Sequence, residues 1–216
     1  MSFTHDQLTE NIFWIREEDT RECFPLMYLI LGTEDTALLI DTGCGCGNIY
    51  HYLRSLSFMQ NVKLIVVNTH NHPEQVMWTP GHTPDSIVLW YPYANRLFVG
   101  DLFYRFDDIM FTYQYTDIRQ YENSVRNILK FVQSQQVKVK YSAAKNDTDN
   151  KCLPTFKLYH RFLLAVIAGT HAGTHLRIDE AEGVRYETRD KSMKIVIGRK
   201  IVQKLNEARE KATQGQ

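Results

Sequence analysis

The sequence predicts an α+β domain whose sheets are covered by helices on their outer faces. Three observations carry that expectation. The first half of the 216 residues is a succession of short apolar runs, the second half holds two long amphipathic stretches, and no repeat, linker or low-complexity segment separates them. One domain spanning 1–216 is expected, with 1–10 and 202–216 fraying.

The runs are "NIFWI", "LMYLILG", "TALLID", "VKLIVVN", "SIVLWY" and "RLFVGD". They are rich in β-branched and aromatic residues, and Gly, Asp, Asn or Pro punctuates them, as strands require. Among them "GNIYHYLRSLS" spaces Ile49, Leu53 and Leu56 along one helical face. Further on, Tyr121, Val125, Ile128, Leu129 and Val132 form a stripe behind Asp117 and Gln120, which resemble a capping box. A second long helix is expected from Pro154 to a stop at Gly169. "GVRYET" and "MKIVIG" read as a terminal strand pair, followed by a polar helical tail.

Composition narrows the function classes. Hydrophobic residues make up 44% and charged residues 23%, ordinary values for a globular protein. Lys plus Arg and Asp plus Glu balance at 25 each, so no overall positive field draws the chain to nucleic acid. The first residues lack a basic region and an apolar stretch, and no run reaches the roughly 18 apolar residues of a membrane span. A cytoplasmic protein with no membrane span is therefore expected. Cys23, Cys44, Cys46 and Cys152 are too few and scattered for a disulfide framework, and Cys44 with Cys46 reads as small residues in a tight loop.

The chemistry concentrates in "NTHNHPEQVMWTPGHTPDSI". His70 and His72 stand two apart, so a strand continuing through them would put both imidazoles on one face. His82 follows Pro80 and Gly81 on a stiff turn, and three histidines with an open position are the ligand set of a catalytic zinc site. Asp101 ends "RLFVGD", where it would complete the coordination or hold a water. Asp41 ends "TALLID", where it orients a ligand histidine or merely caps the loop. His171 and His175 are four apart, but their glycines and threonines favour a turn over a helical zinc pair. Phe111, Tyr113 and Tyr115 would line an acyl-chain pocket or pack elsewhere.

"LLIDTG", "NTHNH", "TPGHTPDSI" and "LFVGD", in that order, resemble successive motifs of the metallo-β-lactamase superfamily. With "NIFWIREE" and "DLFYRFDDI" added, the chain is most similar to the acyl-CoA thioesterase type. The resemblance implies an αββα sandwich of two mixed β-sheets with outer helices, partly truncated. It also implies zinc held by His70, His72 and His82, with Asp101 bridging to a second metal and Asp41 in support.

The pattern breaks in two places. The family's second motif continues as HxHxDH, whereas His72 is followed by Pro73, Glu74 and Gln75, and only ten positions separate His72 from His82. Where a Gly-His is expected after "VKVKYS", this chain has Lys145 or Asn146. An internal deletion after His72, and at most one zinc, follow from the resemblance. The leading expectation is a thioester hydrolase acting through a zinc-bound hydroxide on a small-molecule substrate, with exposed sheet edges covered by a homo-oligomer. The alternatives are an inactive truncated or splice-variant member that acts by binding, and a nucleic-acid-processing enzyme, against which the neutral charge weighs.

Overall fold

The first sheet takes its strands in chain order: β1 (Phe3–Thr9), β2 (Ile12–Glu17), β3 (Leu26–Leu31), β4 (Thr36–Ile40) and β5 (Lys63–Val67). This computed structural model describes residues 3–18, 24–33, 35–43, 47–69, 76–178 and 181–214. Neighbouring strands are antiparallel except β4 and β5, between which helix α1 (Ile49–Ser55) returns the chain to the same end.

Strand β3 sets the layering. Its run LMYLIL is buried on both faces, so it reads as continuous apolar sequence rather than an alternation. Met27 and Leu29 pack with Leu39 and Leu53 under α1. Leu26, Tyr28 and Ile30 face the other way, against Phe98 of the second sheet. The same division runs through β4, where Ala37 and Leu39 point to α1 and Leu38 and Ile40 inward.

The second sheet contains β6 (Val76–Trp78), β7 (Ile87–Tyr91) and β8 (Arg96–Phe98), continued by β10 (Lys140–Ser142) and β11 (Asn150–Lys151). A third is built from β9 (Asp108–Phe111), β12 (Thr174–Ile178), β13 (Ala181–Glu187) and β14 (Lys194–Gly198). Helices α2 (Ile118–Ser134) and α3 (Cys152–Ala168) cover these sheets through Tyr121, Val125, Phe156 and Tyr159, and α4 (Arg199–Gln214) adds Leu205. Each sheet mixes parallel and antiparallel pairs. The α+β sandwich class expected from sequence is therefore the one observed, with its strands distributed over three hydrogen-bonded sheets among the described residues.

Local chemistry explains the helix ends. Asp117 accepts hydrogen bonds from the backbone of Arg119 and Gln120 at 2.9 and 3.0 Å, satisfying two of the first-turn donors of α2. Gly169 closes α3 in the left-handed conformation, φ +78°, which a glycine adopts without a Cβ penalty. Cys152 opens α3 in the core, and burial pushes its thiol up to about 12.

Several expectations need correction. Residues 3–9 form a paired strand, because Phe3 is buried with Ile15 and Met27, whereas the tail through Gln214 is helical as expected, with Leu205 buried. His175 lies on β12 beside Val184 of β13, so only the stretch before Thr174 turns. Strand β5 stops at Val67, with Asn68 and Thr69 outside it, and the histidine pair expected to continue it lies outside the described residues. No described helix is long and apolar enough to cross a membrane.

Candidate metal centre

The site is built where β4 and β8 end on facing sheets. Asp41 directly follows β4, donates its backbone N–H to the Val67 carbonyl at 2.9 Å, and holds φ at +64°. Its carboxylate accepts from the Thr69 backbone N–H at 2.6 Å and from the Thr69 hydroxyl at 3.0 Å. Thr69 is buried, its carbonyl accepts from Ile87 N–H at 3.2 Å, and it stands immediately before His70. Gly100 closes the contact from the other sheet, since a Cβ there would come within 2.8 Å of Thr69 Oγ1.

His82 is fixed by its turn and by α2. The Gly81 carbonyl accepts from Asp117 N–H at 2.8 Å and the Pro80 carbonyl from Ser124 Oγ at 2.8 Å. The buried imidazole meets Phe111 and Tyr113 edge to face, each with ring centroids 6.0 Å away. Asp101 sits in the short 3-10 turn Gly100–Leu102 that follows β8. His82 Nε2 and Asp101 Oδ2 are 3.7 Å apart.

That separation fits a metal better than a direct hydrogen bond. Two ligands on one tetrahedral zinc, each roughly 2.1 Å from the ion, stand about 3.4 Å apart. Asp41, Thr42, Gly43, Asn68, Asp101 and Lys145 line a cleft of about 310 Å³ here. Lys145 Nζ pairs with Asp107 Oδ2 at 3.3 Å and lies 5.5 Å from the Tyr104 ring centroid. Burial, and then the nearby carboxylates of Asp101 and Asp107, push the Tyr104 hydroxyl well above its ordinary pKa.

Of the residues singled out from sequence, Asp41 and Asp101 share this cleft, and buried His82 stands beside Asp101 at 3.7 Å. His70, His72, Cys23, Cys44 and Cys46 lie outside the described residues. Among the described residues no three His, Cys, Asp or Glu side chains gather tightly enough to hold an ion. In the aromatic run Phe111 is core and Tyr113 exposed, both meeting His82, while Tyr115 is exposed.

Two contributors carried no sequence signal. Thr69 is bound through a contact 28 positions away. Glu17, fully buried, accepts from Gly47 N–H at 2.6 Å and lies against Gly43, so its carboxylate contacts both of these glycines after Asp41.

The chain matches the metallo-beta-lactamase superfamily over residues 20–78 and 73–144, together more than half of its length. It belongs to that superfamily. The two matched stretches overlap at 73–78, inside the short connection from His72 to His82. Among solved structures, a metallo-beta-lactamase from Pontibacter korlensis is 13% identical with a TM-score of 0.56, covering 72% of this chain and 97% of that one. Another from Erythrobacter litoralis is 15% identical with a TM-score of 0.57, covering 74% and 92%. The DIM-1 metallo-beta-lactamase is 16% identical with a TM-score of 0.56, covering 74% and 98%. At such identities the likeness is one of fold. No curated protein matched the sequence.

Proposed function

We propose that this protein is a metal-dependent hydrolase of thioesters, of the acyl-CoA type. The observation that carries the reading is the placement of His82 Nε2 opposite Asp101 Oδ2 at 3.7 Å, at the edge of a cleft between two sheets. His70, His72 and His82 would hold one zinc, with Asp101 as a further ligand or as the group that holds a water. Bound there, zinc supplies a Lewis acid that lowers the pKa of a water to about 7.

The chain's own residues supply placement. Asp41 grips Thr69, the residue before His70, through backbone and hydroxyl. Pro80, Gly81 and α2 hold the His82 backbone, and Phe111 and Tyr113 limit the tilt of its ring. Lys145, which with Asn146 stands in the stretch where the family's last motif would place a Gly-His, lines the same cleft, and its ammonium would favour negative charge developing on a carbonyl oxygen. A cytoplasmic location and a small-molecule substrate belong to the same proposal.

Zinc content by elemental analysis tests the reading. Purified wild type should carry up to one zinc per chain, and a His70→Ala, His82→Ala double variant should carry almost none. Equal content in the two proteins ends the metal assignment. A hydrolysis panel of acyl-CoA, lactoylglutathione and a cephalosporin separates thioester from lactam chemistry, the latter being the chemistry for which the DIM-1 metallo-beta-lactamase is named.

A second reading, a non-catalytic binding protein, is favoured by the ten-position step from His72 to His82. Zinc present without turnover of any substrate in the panel supports it.

A further inference from the structure

The cleft between Asp41 and Asp101 continues past Lys145. Lys145 and Leu26 also line a second, open groove of about 620 Å³, whose walls include Trp14, Arg16, Phe24 and Phe106. Phe24 and Phe106 are 41% and 55% exposed, so neither ring serves mainly as core. Both also hold a left-handed backbone, φ +44° and +65°, where a bulky side chain is an outlier.

This strain is concentrated in one place. Seven described non-glycine residues have positive φ, and four of them, Phe24, Asp41, Phe106 and Asn146, line the two joined hollows. Strain of this kind clusters where a side chain is held for a task.

The rings are also held in place. The Arg16 guanidinium lies 5.7 Å from the Phe24 centroid, and that of Arg105 lies 5.4 Å from the Phe106 centroid. Each arginine is itself anchored, Arg16 Nε to Glu18 at 2.9 Å and Arg105 Nε to buried Asp147 at 2.8 Å. Charge in the groove is balanced, since Lys145 pairs with Asp107 and Arg16 with Glu18. Aromatic faces bordered by balanced charge suit an uncharged ring better than a bare anion. Asp107, Asn146 and Thr148 bring acceptors and donors to the rim, which suits nitrogen-bearing edges.

We propose that this groove is a subsite for a flat heteroaromatic ring, carried by a ligand whose reacting group occupies the cleft between Asp41 and Asp101. Only the last clause rests on the hydrolase reading, because ring binding here needs no metal.

The test uses the full chain, zinc-free, with adenosine as the ring probe and inorganic phosphate as the anion probe, read by amide NMR shifts and Trp14 fluorescence. Saturable adenosine binding at millimolar concentration is expected, with shifts at Phe24, Phe106 and Lys145. Phosphate should give none of these shifts. Phe24→Ala and Phe106→Ala should each weaken adenosine binding about tenfold, the loss of one stacking face, with the melting temperature unchanged. The proposal is overturned if adenosine does not saturate, if phosphate alone reproduces the shifts, or if both variants bind adenosine as wild type does. His82→Ala should leave adenosine binding intact, so failure of the metal assignment and failure of the ring subsite are separate results.

Discussion

Gly81 holds φ at +132°, and a Cβ there would run into the backbone N and Cα of Tyr121 on α2. Neither partner is a flexible side-chain end, so the clash cannot be relieved without moving the helix or the His82 turn. Gly81→Ala should therefore lose about 3 kcal/mol of stability, seen as a lower thermal midpoint, and should lower zinc uptake in the surviving folded fraction. A variant that melts and loads zinc like wild type would show that the turn is not under this constraint. At this scale the sequence is informative where chemistry is local. Pro80, Gly81 and His82 announce a stiff turn, and Asp41 announces a strand end. Thr69 and Glu17 are silent because their partners, Asp41 and Gly47, are 28 and 30 positions away.

Elements with strong periodicity or double burial were legible, and those stabilised mainly by distant partners were not. Helix α2 has its stripe and its cap in adjacent residues, and β3 declares itself by six consecutive apolar residues. Strand β1 has mostly polar, exposed residues and exists through its ladder with β2. Strand β9 pairs in parallel with β14, joining Ile109 to Ile195 across more than eighty positions, and no local pattern encodes that. The N-cap of α2 connects element to site, because Asp117 also donates its backbone N–H to the Gly81 carbonyl. Asp117→Ala should cost about 1 kcal/mol by chemical denaturation while leaving the zinc content near that of wild type, since the backbone donor is retained. A zinc loss as large as that of His82→Ala would instead make the cap side chain part of the site.

At the scale of the whole molecule, two sheets of the described residues end in strands that carry exposed apolar side chains. Strand β5 ends the first sheet with Ile65 and Val66 nearly half exposed, and β6 ends the second with Trp78 at 69%. Edge strands with such residues template pairing with another chain, so self-association through β5 is the expected behaviour. In sedimentation velocity the wild-type coefficient should rise with concentration, and Val66→Lys should flatten that rise. Identical curves would remove the edge as the contact.

The same boundary has a genetic consequence. Every ladder among the described residues closes on its own side of positions 68–75, with β1 to β5 before them and β6 to β14 after. Coding sequence can be lost or gained at that seam without breaking a strand pair among the described residues, so this is where length variants of the gene can arise and still specify both halves. Whatever such an event does to catalysis, the architecture has no topological reason to oppose it.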